Sequence, residues 1–187
     1  NVAIVGYAQL PIVACNEHET GMEMLYTAVT RALAESGATR NDFDYQIAGS
    51  SDYLDKGQPF GFVAALDVMG SWPPRQDSHL EMDAGFAAYY GWVKIQAQEA
   101  DTVLVTGYGK NSEADPNRML NLQLDPFYQS PIGLDGVSTA ALQASAYLAR
   151  TGASDRDMAE IAARNRNAGV RNPDAQVRTP ATPEELM

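Results

Sequence analysis

The sequence predicts an α/β protein. Short apolar runs of strand length alternate with longer segments whose apolar residues recur at helical spacing, and glycine or proline closes most of them. Three runs read as buried strands: residues 2–6, 45–51 and 102–106. The stretch from Ser78 to Lys110, SHLEMDAGFAAYYGWVKIQAQEADTVLVTGYGK, condenses the pattern into strand, sharp turn, long apolar helix, tight turn, strand.

Taken in order, residues 2–6 (VAIVG) form an apolar run closed by glycine. Residues 7–20 read as a polar loop with Cys15, His18 and Glu19. Met22, Leu25, Ala28, Val29, Ala32 and Leu33 then define one apolar stripe of a helix, and Gly37 supplies the usual C-terminal glycine. Asn41 to Asp44 is turn-like, and residues 45–51 are the second strand, ending in the small polar cluster Gly49-Ser50-Ser51-Asp52. A second helix is predicted over 59–69 with Gly70 closing it. Trp72-Pro73-Pro74 cannot continue it, because proline lacks an amide donor and restricts its predecessor. The central helix, residues 85–99, carries Phe86, Ala87, Ala88, Tyr89, Tyr90, Trp92, Val93, Ile95 and Ala97. Being apolar on nearly every side, it is predicted to be buried between layers, with Lys94 marking a wet edge. After Lys110 the chain turns polar and loop-rich, then returns to helix at 137–150 and again after the Ser154 cap. Two domains are therefore expected, a sheet domain over 1–110 and a helical insertion over 111–187. The run Thr182-Pro183-Glu184-Glu185-Leu186 reads as a helix opening, so the polypeptide is expected to continue past Met187.

Composition narrows the partners. Acidic residues number 24 against 13 Lys+Arg, a net charge of −11. Nucleic acid and anionic membrane both need a basic face, so neither is expected. No run approaches the ~20 apolar residues that span a bilayer, and no basic-then-apolar leader opens the sequence. One cysteine permits no internal disulfide. A cytoplasmic location is the expectation.

Three features in this order resemble the thiolase superfamily, in its sterol-carrier-type branch. They are the opening Val2-Ala3-Ile4-Val5-Gly6 run followed by an amphipathic helix, the strand-turn-helix-strand ending in Asp101-Thr102-Val103-Leu104-Val105-Thr106-Gly107-Tyr108-Gly109-Lys110, and Ala159-Glu160-Ile161-Ala162-Ala163-Arg164-Asn165-Arg166 followed by Asn172-Pro173-Asp174-Ala175. Gly49-Ser50-Ser51-Asp52-Tyr53-Leu54 and Ser78-His79-Leu80-Glu81-Met82-Asp83-Ala84 resemble, more narrowly, the actinobacterial "lipid-transfer protein" thiolase-like enzymes of steroid side-chain breakdown. The resemblance implies a thiolase fold of stacked α-β-α-β-α layers. This chain would hold the first of two similar halves plus part of the insertion (loop) domain. It also implies a retro-aldolase (a carbon–carbon lyase) acting on a steroid acyl-CoA and a homodimer through the strand running from Ser78 to Asp83. A small partner with an OB-fold and a zinc ribbon is implied as well. No cofactor is expected on this chain, since the substrate carries the CoA and zinc belongs to the partner.

A thiolase places a nucleophilic cysteine at the start of its central helix, where helix amides favour the thiolate. Aligned back from Asp101, that position is Glu81, or Asp83 after a slide of two residues. Neither is cysteine, so acyl-cysteine chemistry is not expected. Glu81 and Asp83 are then either acid/base carboxylates at a CoA-thioester pocket or carboxylates that cap the helix. His79 shares a strand face with Glu81, as a proton shuttle or as a hydrogen-bonded core or interface histidine. Tyr128 and Tyr53 are candidates to line an apolar substrate pocket. One histidine beside two carboxylates is a poor zinc set, so no metal is expected. The turn Gly107-Tyr108-Gly109-Lys110 lacks phosphate-loop spacing and reads as a strand end. Arg164, Arg166, Arg171 and Arg178 are either contacts for CoA phosphates or a solvated face. A non-catalytic acyl-CoA or lipid carrier remains the alternative, and a Claisen-type acyltransferase the second.

Overall fold

A computed structural model describes residues 1–51, 66–70 and 75–187. The chain divides into two units, one of Asn1–Leu10 with Cys15–Met119 and one of Pro11–Ala14 with Leu120–Met187. The division falls after Met119, inside the short helix Pro116–Asn121, rather than at Lys110.

The first unit is an α/β layer structure. Strands β1 (Tyr45–Ser50), β2 (Gln76–Glu81) and β3 (Val103–Gly107) form a parallel three-stranded sheet in the order β2-β1-β3. β1 is central, and every one of its residues is buried. Helix α1 (Gly21–Ser36) and helical residues 66–69 cover one face, and α2 (Ala84–Gln96) covers the other. Strand alternation sends Ala48 into a core with Leu25, Val29, Leu33, Phe43, Val68, Met69 and Leu104, while Tyr45 and Ile47 meet Ala87 and Ala100 on the α2 side. α1 begins with a capping box: Glu23 N–H donates to Thr20 Oγ1 at 3.2 Å and Thr20 N–H donates to Glu23 Oε2 at 2.7 Å. Of its predicted stripe, Leu25, Val29 and Leu33 are buried and Ala28 and Ala32 half-buried, while Met22 is exposed, and Gly37 closes the helix at φ +72°.

At the opposite end of the sheet, Asp44 ties β1 to β3. Its Oδ2 accepts the Asp101 and Thr102 amides at 3.0 Å each, and these bonds hold its carboxyl below the usual carboxylate range.

Two predictions for this unit need correction. Residues 2–6 are not a strand: Ile4 is 89% and Val5 75% exposed. A strand needs a ladder partner, and none of the described strands pairs with this segment, which lines one apolar cavity together with β3. The central helix runs Ala84–Gln96 rather than 85–99, and it is covered on one side only. Its small residues Ala87 and Gly91 are buried against the sheet, whereas Phe86, Tyr89 and Trp92 stand 51%, 62% and 47% exposed. Small residues win the sheet side because the helix approaches closely: a Cβ on Gly91 would lie 3.2 Å from Val103 and from Val105. The aromatic ridge is left outside, with Tyr89 and Trp92 stacked at 5.8 Å. Lys94 lies in the last turn of the helix and reaches the half-exposed Glu99. Its side chain is largely covered, its Nζ lying 5.1 Å from the Tyr45 ring, 5.0 Å from the Tyr90 ring and 2.6 Å from Glu99 Oε2. The predicted helix at 59–69 is seen at 66–69, up to Gly70. Its earlier part and residues 71–74 lie outside the described residues.

The second unit is helical. It holds α4 (Gly136–Thr151) and α5 (Asp155–Gly169), while α3 (Pro116–Asn121) straddles the division and α6 (Pro183–Leu186) closes the chain. Asp135 caps α4, and Ser154 with Asp157 forms a capping box on α5, as the sequence predicts for that helix. α5 buries Ala159 and Ala163, and Asn167 clamps the tail by exchanging hydrogen bonds with Ala181 N–H (3.0 Å) and C=O (3.1 Å).

Candidate functional site

Parallel pairing brings the carboxyl ends of the three strands level. Ser50 lies opposite Glu81, and Gly49 lies opposite Gly107. In such sheets ligands bind beyond these ends, where helix N-termini also point. Two helices begin there, α1 at its Thr20 cap and α2 at its Asp83 cap.

The turn from β2 into α2 is pressed onto the sheet. Met82 N–H donates to Ser50 C=O at 3.1 Å, continuing the ladder one residue past the strand. Asp83 then turns the chain, with its Oδ1 accepting Phe86 N–H at 2.8 Å. A side chain at Gly49 would collide with the Asp83 carbonyl oxygen and lie 2.7 Å from the Asp83 carbonyl carbon. One at Gly107 would collide with the Ala84 methyl and lie 3.0 Å from Gly49 O. These two glycines let the turn reach the strand ends. The sequence signal for them was present, since each lies at the end of an apolar strand run, but their partners are remote in sequence.

Glu81 ends β2 at the rim. Ser51 Oγ donates to its Oε1 at 3.0 Å, and its Oε2 lies 3.7 Å from His79 Nε2. His79 is largely buried and Glu81 half-exposed, so the predicted shared face of these two residues is realised. Asp83 does not continue that alternation, because β2 stops at Glu81 and Asp83 belongs to the helix cap. The carboxylate that faces the rim is thus Glu81, while one oxygen of Asp83 is engaged by the α2 amide. Replacing Asp83 by Ala is expected to cost about 1 kcal/mol of stability, and Asp83→Asn, which retains the accepting oxygen, a few tenths at most. Urea titration of both variants checks this; equal losses would mean that the cap is not what Asp83 supplies.

The neighbouring rim is formed by the end of β3 and the start of α1. Gly21 lies against the Tyr108 ring, 2.7 Å from where its Cβ would stand, and Lys110 Nζ donates to Glu19 C=O at 2.6 Å while pairing with Glu113 at 2.7 Å. Gly107-Tyr108-Gly109-Lys110 is therefore a strand-end turn, as the sequence reading expects. The Glu23 carboxyl is held below its usual range by the Thr20 amide it caps.

Other candidates lie elsewhere. Tyr128 belongs to the second unit, is 81% exposed and donates its N–H to Asp125 Oδ1 at 2.7 Å. Tyr53 lies outside the described residues. Cys15 is exposed, and His18 is exposed in the same loop. Of the arginines, Arg166 Nε donates to Thr179 C=O at 2.9 Å and Arg178 Nη1 to Pro173 C=O at 3.0 Å, so both brace the tail of the second unit. Among the described residues no three His, Cys, Asp or Glu side chains gather as a metal set, and no helix is long and apolar enough to cross a membrane. At the foot of the sheet, Tyr45 Oη and Ser78 Oγ are 2.7 Å apart. The Tyr90 phenol beside them is lowered by its bond to Lys94, and Lys94 is raised by Glu99.

No known protein family matches the chain by sequence, and no curated protein does either.

Proposed function

We propose that the chain is the first half of a thiolase-like enzyme that cleaves a steroid side-chain β-hydroxyacyl-CoA by retro-aldol chemistry. The observation that carries this reading is α2. It packs a small-residue face on one sheet and leaves the ridge Phe86, Tyr89 and Trp92 exposed, as a helix would that is sandwiched between two sheets in stacked α-β-α-β-α layers. The sequence resemblance supplies the family; the half-covered central helix is the feature that fits it.

At the thiolase nucleophile position stand Glu81 and Asp83, and Cys15 lies in the loop before α1. The reaction proposed needs no acyl-enzyme. A base takes the β-hydroxyl proton and the C–O bond becomes a carbonyl. The Cα–Cβ bond breaks, and its electron pair passes to the thioester enolate, which is then protonated at Cα. Glu81 is the proposed proton-exchanging carboxylate, a reading supported by its place at the rim beside His79. The homodimer proposed through β2 is supported by that strand's position at the sheet edge, paired to β1 alone among the described strands. The OB-fold and zinc-ribbon partner and the cytoplasmic location follow from the same resemblance.

Incubating the full-length protein and its partner with a β-hydroxy steroid side-chain acyl-CoA tests the reading. Release of a shorter CoA ester together with a steroid carbonyl compound is expected, with turnover lowered at least tenfold by Glu81→Gln. Tight binding without turnover would make the protein a carrier and sink the lyase assignment.

A further inference from the structure

The polar cluster that closes β1 reaches the rim carboxylate through one of its members. Ser50 is the last residue of β1 and stands opposite Glu81, the last residue of β2. Ser51 follows one step beyond that pair. The bond from Met82 N–H to Ser50 C=O, at 3.1 Å, fixes the two backbones against each other at this point. Ser51 Oγ is thereby brought to a carboxylate 30 positions away in sequence, and donates to Glu81 Oε1 at 3.0 Å.

The two oxygens of Glu81 thus have different neighbours. Oε1 accepts from Ser51, whereas Oε2 lies 3.7 Å from Nε2 of the largely buried His79. A half-exposed glutamate at a strand end has several torsions to set before its carboxylate points one way. A hydroxyl bonded to one oxygen fixes the plane of the group and so the direction of the other. Proton transfer depends on that direction, because a base acts only within hydrogen-bond reach of the proton it takes.

We infer that Ser51 is a positioning residue for the proposed lyase: its hydroxyl holds Oε1, so that Oε2 is the oxygen that takes the β-hydroxyl proton. The inference rests on the lyase reading and adds a side of approach to it, with the β-hydroxyl meeting Glu81 at the edge of the carboxylate turned toward His79. The O–H proton passes to Oε2 as the C–O bond becomes a carbonyl and the Cα–Cβ pair moves into the enolate. Glu81 regains its charge by giving that proton to Cα. Ser51 keeps its own proton throughout.

Steady-state kinetics of the full-length protein and its partner, with the β-hydroxy steroid side-chain acyl-CoA, test this. Ser51→Ala is expected to lower kcat about tenfold and leave KM within about twofold, since the base loses its alignment while the substrate keeps its contacts. Ser51→Thr, which keeps the hydroxyl, is expected to hold kcat within about threefold of the parent. In a Glu81→Gln protein, Ser51→Ala is expected to add no further loss, because no base remains to be aligned. A raised KM in place of a lowered kcat, equal losses in the Ala and Thr variants, or a full second loss on top of Glu81→Gln overturns the inference. So does a Ser51→Ala enzyme as fast as the parent where Glu81→Gln is slowed, a result that leaves the lyase reading standing. Failure of the lyase reading is distinct: the parent protein itself then releases no steroid carbonyl compound, and both fall.

Discussion

Replacing Gly49 by Ala is expected to lower stability by about 3 kcal/mol, the upper part of the range for overpacking a tight interior. The added methyl has nowhere to go. It would strike the Asp83 carbonyl and stand 2.9 Å from the Ala87 methyl, both on backbone that cannot rotate aside. The turn must lift off the sheet, drawing the Asp83 cap and the start of α2 with it. For a chain of this size the loss corresponds to a fall in Tm of roughly 6–12 °C. Exchange at the Phe86 amide, held by Asp83 at 2.8 Å, should accelerate more than exchange in β3. Gly169→Ala is the matched control, since nothing lies within 4 Å of a Cβ there; in a helix it should be neutral or slightly stabilising. If both substitutions melt alike, the turn is not wedged by Gly49.

The second large effect is expected at Ile47. It is wholly buried in the central strand, packed with Ala87 from α2, and its Cδ1 would lie 3.4 Å from a Cβ on Gly91. Truncation to Ala removes the apolar contact and leaves a void that the sheet and helix cannot close, at about 2–5 kcal/mol. Guanidinium titration measures the loss. Because the void lies beneath the middle of α2, the Phe86 amide should keep its relative protection, in contrast to the Gly49 variant. A loss below about 1 kcal/mol would show that α2 settles into the space, and that its seat on the sheet is looser than its small-residue face indicates.

These two positions also separate what was legible in the sequence from what was not. Strands at residues 45–51 and 102–106 and helices starting near Met22, Gly85, Val137 and Asp155 were readable, because each depends on local period and on caps within a few residues. Glu81 and His79 on one strand face followed from the same period. The role of Gly49 was not readable, because Asp83 and Ala87 reach it through a fold contact more than thirty positions away. Nor was the state of residues 2–6: their composition is that of a strand, but pairing is a property of two segments. The central helix shows the same limit, since an all-round apolar sequence says that both faces seek cover without saying which face finds it.

The sequence alone therefore determined most of the helices and the strands at 45–51 and 102–106, their order, the absence of cysteine from the helix start and the acidic balance of the chain, since each of these is written in neighbouring residues. Only the tertiary structure decided the order β2-β1-β3, the seating of Asp83 as a cap rather than a strand residue, the packing of Lys94 beside two tyrosine rings and the open edge of β3. Hydrogen-bond ladders and close glycine contacts join residues far apart along the chain, and their free energy exists only once the chain has brought those residues together.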